Sequence, residues 1–100
     1  MPTKDYDTFL LEELRDPETA AAYLSAATED GTVDEFLIAL RNVAEAHGGL
    51  GTLSAITKLN RQSMYKMLSE DGNPRLASLL SILRAIGISV TFTTSEKDAA

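Results

Sequence analysis

The sequence predicts an all-α fold: five to six short helices containing a helix-turn-helix, followed by one C-terminal β-strand. Three observations carry this. Apolar residues recur at helical spacing over most of the chain, helix start and stop residues punctuate it at short intervals, and the helical period gives way to strict alternation after Gly87. With 100 residues there is room for one domain and one modest core, so a separate catalytic domain is not expected.

The elements follow in order. Thr8 to Arg15 reads as a short helix carrying Phe9, Leu10 and Leu14. Asp16-Pro17-Glu18 opens a second, because an aspartate can accept hydrogen bonds from free N–H groups and proline suits the first helical position. That helix runs through Ala20-Ala21-Ala22-Tyr23-Leu24 to about Thr28, and Asp30-Gly31 ends it. Thr32-Val33-Asp34-Glu35 has capping-box spacing. Phe36, Leu37, Leu40, Val43 and Ala44 then form one apolar stripe, stopped by Gly48-Gly49. Two short helices follow, Leu50 to about Thr57 and Arg61 to about Ser69. Asp71-Gly72-Asn73-Pro74 predicts a turn and a last helix, with Asn73 as cap, Pro74 at the first position, and Leu76, Leu79, Leu80, Leu83 and Ile86 along its apolar side. These segments divide a single domain, 1–100, into acidic helices (8–48), the helix-turn-helix with its following helix (50–87), a strand (88–94) and a tail (95–100).

In the last element Ile88, Val90 and Phe92 alternate with Ser89, Thr91 and Thr93, the period of a strand with one buried face. A lone strand leaves both edges unpaired. The same strand in a second copy would pair with it, which makes Ile88, Val90 and Phe92 the candidate dimerisation residues of a homodimer. An extended tail packed on the chain's own helices is the alternative.

Composition narrows the chemistry. With no cysteine there is no disulfide, no cysteine zinc site and no thiol nucleophile. No apolar run approaches the roughly 20 residues that span a bilayer, and the N-terminus lacks the pattern of a secretory signal, so a cytoplasmic protein without membrane partners is expected. His47, the one histidine, has no ligand-spaced partners, so neither metal nor cofactor is expected. Glu12-Glu13 and Asp34-Glu35 point to different helix faces and make poor acid/base pairs. Gly48-Gly49-Leu50-Gly51 lacks the lysine and the preceding strand of a phosphate loop. Catalysis is not expected.

The net charge of −6 is unevenly spread. Residues 1–49 hold three basic residues against eleven acids, a net −8, whereas residues 50–85 hold five against two, a net +3. Such a division suits two partners on two surfaces. Two short helices, a tight turn and a basic second helix form the pattern that reads a DNA major groove. Leu53 and Ile56 would face the core, Ser54 would allow a close crossing, Leu59 would plug the turn, and Met64 and Leu68 would anchor the second helix. The opposite face offers Arg61, Gln62, Tyr65, Lys66 and Ser69, with Asn60 and Ser63 at the helix start. Arginine and glutamine suit bidentate contacts to guanine and adenine edges, while Lys66, Thr52 and the N–H groups near Gly51 suit phosphate. The candidate DNA-binding residues are therefore Thr52, Asn60, Arg61, Gln62, Ser63, Tyr65 and Lys66. Lys58 occupies the turn position where a positive φ commonly calls for glycine.

Phe9-Leu10-Leu11-Glu12-Glu13-Leu14, Asp16-Pro17-Glu18 with Ala21-Ala22-Tyr23-Leu24, and Phe36-Leu37-Ile38-Ala39-Leu40-Arg41-Asn42-Val43-Ala44 together resemble the addiction-module antidote family. The resemblance runs on through Leu59-Asn60-Arg61 and Tyr65-Lys66-Met67-Leu68-Ser69-Glu70-Asp71-Gly72-Asn73-Pro74, spanning roughly residues 5–92. Members are HigA-type antitoxins with a phage-repressor-like, Xre-type DNA-binding domain. The sequence departs from the family at Lys58, usually glycine, and at Asn60, commonly serine. The resemblance implies neutralisation of a small basic HigB/RelE-like toxin and repression of the shared operon by binding double-stranded operator DNA. Glu12, Glu13, Asp16 and Glu18 are the candidate toxin-binding residues by charge complementarity, although such acids also complement helix N-termini in any protein. A stand-alone regulator, or a toxin-binding module with little DNA binding, stays open as an alternative.

Overall fold

The computed structural model describes residues 2–69 and 72–95. Among these, six helices form: α1 (Pro2–Leu14), α2 (Pro17–Asp30), α3 (Val33–Ala46), α4 (Gly49–Thr57), α5 (Arg61–Met67) and α6 (Leu76–Ile86). The first helix begins earlier than its apolar pattern indicates. Of the expected tail, 96–100 lie outside the described residues, as do Glu70 and, from the expected turn, Asp71.

Side-chain caps set the front boundaries. Asp16 accepts from the Thr19 N–H at 3.0 Å and from its hydroxyl at 2.8 Å, with Pro17 in the first turn of α2. Thr32 and Glu35 close a reciprocal capping box, the Thr32 N–H to Glu35 at 2.7 Å and the Glu35 N–H to Thr32 at 3.2 Å. A cap of this kind contributes about 1 kcal/mol. Two hydrogen bonds then tie α3 to its neighbours. The Asn42 amide donates to the Tyr23 hydroxyl at 2.9 Å, and the His47 ring Nε2 donates to the Leu14 carbonyl at 2.8 Å.

Packing centres on α3, which touches α1, α2 and α4, while α4 in turn touches α5 and α6. One apolar cluster runs through them all, from Leu14 and Leu24 through Leu37, Leu40, Val43, Leu50 and Leu53 to Met64, Leu68, Ile82, Leu83 and Ile86. Three sequence expectations need correction here. Ile56 is 59% exposed. A step of three residues rotates about 60° off a helical stripe, so the run Leu50, Leu53, Ile56 carries its third member out of the core. Leu76 is 70% exposed because it is the first residue of α6, beyond the core's edge, and Ile82 is buried instead. The start of α6 also differs. Asn73 is not its cap, since Arg75 holds the cap position with extended backbone (φ −72°, ψ 149°) and the helix begins at Leu76.

The expected strand over 88–94 is absent: no strand forms among the described residues. The end of α6 gives the reason. Gly87 is left-handed (φ 95°), the Gly87 N–H bonds to the Arg84 carbonyl at 3.1 Å, and the Ile88 N–H reaches back to Leu83 at 2.9 Å. This helix stop requires a residue free to take positive φ and folds the following apolar side chain onto the helix it ends. Ile88 accordingly packs against the core, while Val90 is exposed and Phe92 is 93% exposed. Residues 89–95 are all exposed, and within one chain the backbone beyond Ile88 has no ladder partner.

Candidate nucleic-acid interface

Helices α4 and α5 are joined by three residues, Lys58, Leu59 and Asn60, and polar side chains fix that joint. The Ser54 hydroxyl donates to the Leu59 carbonyl at 2.5 Å, while the Thr57 hydroxyl accepts the Leu59 N–H at 3.3 Å. Both backbone groups of Leu59 are thus satisfied by α4, and its half-buried side chain packs on the core. Lys58 ends α4 in the left-handed region (φ 63°, ψ 18°), its N–H bonded to Ser54 at 2.8 Å, where a side chain has a steric cost that glycine lacks. Asn60 then caps α5, accepting the Ser63 N–H at 3.1 Å. Met64 and Leu68 are fully buried behind α5.

Met67 is half-buried against the core, and the rest of α5 faces outward. Arg61, Gln62, Ser63, Tyr65 and Lys66 are exposed, as are Asn60 and, on α4, Thr52. The Asn60 side-chain oxygen is committed to its cap, which leaves Arg61, Gln62 and Lys66 as the residues of this face with long side chains and free polar ends. The Arg61 guanidinium lies against α4 at Gly51, where a Cβ would meet its central carbon at 3.4 Å. A Cβ at 51 would therefore sit in ordinary van der Waals contact with it.

Two cations converge on one ring. The Arg61 guanidinium carbon lies 5.8 Å from the Tyr65 ring centroid, and Arg41, arriving from α3, lies 5.4 Å from it. Contacts at this range are attractive cation–π interactions, stronger where water is partly excluded. Arg41 was not among the candidates read from the sequence, since its neighbours in the chain belong to the acidic half. One signal was present, for it is the one basic residue in the α3 sequence. Arg75 escaped notice as well. With Asn60, Ser63, Lys66, Ser69 and Ser78 it lines a cavity of about 600 Å³ beside α5.

The other candidates lie apart from this face. Glu12, Glu13, Asp16 and Glu18 are exposed on α1 and at the start of α2, and the Asp16 carboxylate is engaged by Thr19. Tyr6 and Phe9 are exposed on α1, and with Glu13 they fall at helical positions i, i+3 and i+7, on one face. No described helix is long and apolar enough to cross a membrane.

The arrangement defines a class before it defines a family: a small helical protein with an acidic, aromatic-bearing front and a cationic polar face on a short projecting helix. Residues 3–94 match the family model of the probable addiction module antidote protein, and the chain belongs to that family. It is also 27% identical over 85 residues to an uncharacterized protein of Haemophilus influenzae, covering 85% of this chain and 84% of that one. No solved structure matches it significantly.

Proposed function

We propose that the protein is an antitoxin and autorepressor of the HigA type, which binds operator DNA through α5 and neutralises a small basic HigB/RelE-like toxin. The observation that carries the DNA half is the outward face of α5. Arg61, Gln62 and Lys66 project from a helix anchored behind by Met64 and Leu68 and joined to α4 by a three-residue turn with one left-handed residue. That is the arrangement by which the second helix of a helix-turn-helix enters a major groove. In this reading Arg61 and Gln62 contact base edges, and Thr52, Lys66 and Arg75 contact phosphates. Asn60 and Ser63 shape the helix start. Tyr65 orients its neighbouring guanidinium.

One such helix reads few base pairs, so the reading includes a homodimer spanning two half-sites. The extended segment after Gly87 supplies a means. Ile88 is seated on the core, and an antiparallel ribbon with a second copy would pair the backbone beyond it and shelter Val90 and Phe92. The toxin is assigned to the acidic front, where exposed Tyr6 and Phe9 accompany Glu12 and Glu13. Aromatic anchors within a charged rim suit a partner of opposite charge. Asp16 and Glu18 contribute to the field there, with Asp16 also capping α2.

Fluorescence anisotropy tests the DNA half directly. The purified protein is titrated into DNA from upstream of its own gene and into scrambled DNA at about 50 and 200 mM salt, a range over which phosphate-dependent binding weakens strongly. Selective, salt-sensitive binding that Gln62→Ala and Arg61→Ala weaken, each by at least about tenfold for loss of a bidentate base contact, supports the reading. Equal affinity for both DNAs, unchanged in the variants, would leave the toxin-binding module with little DNA binding as the better account.

A further inference from the structure

The chain is acidic overall, and α1–α3 are more so, yet one arginine of α3 reaches the α5 face. Arg41 lies over Tyr65 beside Arg61, and among the described residues neither guanidinium has a carboxylate partner. In a protein with fifteen acids and nine Lys and Arg residues, two cations meeting on one neutral ring is an unusual use of charge. Their mutual repulsion is offset by the ring and by solvent, and an anion placed near both would offset it further. Arg41 is half-buried and Arg61 exposed, so an incoming anion can reach the pair. The Tyr65 ring also holds each planar guanidinium with fewer rotamers to lose on binding, which favours a bidentate contact to phosphate.

We propose that Arg41 is a phosphate-contacting residue of the DNA interface, so that α3 joins the surface formed by α4 and α5. This rests on the DNA-binding reading of α5. The division of labour follows from position. Arg61 and Gln62, on the projecting helix, discriminate among base pairs, whereas Arg41, set back on α3, binds the backbone and contributes affinity without sequence preference. Arg41 therefore ties the recognition helix to the helix against which both the acidic front and α4 pack.

The experiment measures binding to upstream and scrambled DNA across a salt series for the wild type, Arg41→Ala, Arg41→Lys and Gln62→Ala, each first shown by circular dichroism to be folded. For Arg41→Ala, affinity for both DNAs is expected to fall by a similar factor, about tenfold, and the slope of log K against log salt to shrink by about 1. Arg41→Lys is expected to keep the wild-type slope with weaker binding, because it retains the charge and loses the plane. Gln62→Ala is expected to lose preference for the upstream DNA with its slope unchanged. An Arg41→Ala protein that keeps the wild-type affinity and slope, while Gln62→Ala loses selectivity, overturns the role of Arg41 and leaves the DNA-binding reading standing. A wild type that binds neither DNA overturns both.

Discussion

The front of the molecule, α1–α3, and the back, α4–α6, are built by different means. In the front, α2 and α3 begin with side-chain caps, Asp16 and the Thr32–Glu35 box, and the described acids lie at helix starts or in solvent. The back keeps one such cap, Asn60 on α5, and differs in how its helices end. Lys58 and Gly87 end α4 and α6 in left-handed conformations, and α6 starts without a side-chain cap. The front carries net −8 over residues 1–49 and the back net +3 over 50–85. The two regions nevertheless share one apolar cluster, with α3 in contact with both. Two regions of opposite net charge therefore belong to one folded unit.

The sharpest way to break this comparison is to damage what the two regions share. Leu40 on α3 is fully buried, so Leu40→Ala should cost about 2–5 kcal/mol. Urea unfolding followed by circular dichroism should show one transition moved to lower denaturant. Two separate transitions would mean that front and back fold independently.

A second test leaves the core alone and changes only the front's charge. Converting Glu12 and Glu13 together to glutamine should slow association with a basic toxin by roughly threefold to tenfold at low salt, an effect of steering by exposed charge. DNA affinity should not fall. Stopped-flow association with the neighbouring toxin, beside DNA anisotropy, would separate the surfaces, and a parallel loss of DNA binding would merge them.

The smallest effect concerns the back's turn. Lys58→Gly relieves a left-handed lysine and should stabilise the fold by about 1 kcal/mol or less, the steric gain being partly cancelled by the greater freedom of glycine when unfolded. A destabilised variant would indicate that the Lys58 side chain makes a favourable contribution of its own.

Much of this architecture was readable from residue types. The Asp16-Pro17 start, the Thr32–Glu35 box and the strained Lys58 are local signals, because each depends on atoms within four residues. What escaped depended on distance in space. Ile56 and Leu76 continue apolar patterns, but the core ends before it reaches them. Residue types alternate after Gly87, yet a ladder needs a paired strand, and none forms among the described residues. Within the candidate site, the exposed α5 side chains followed from helical period and the buried Met64 and Leu68. Arg41 and Arg75 did not, since only the packing of α3 and the start of α6 bring them beside that helix.

Gly51 leaves room beside the proposed surface. The Arg61 guanidinium lies within van der Waals contact of the place where a Cβ at 51 would stand. In the DNA-binding reading proposed above, position 51 thus adjoins the arginine assigned to base edges while its own backbone lies near the N–H groups assigned to phosphate. A methyl group there would only touch Arg61, whereas a longer side chain would compete with it for the same surface of α4.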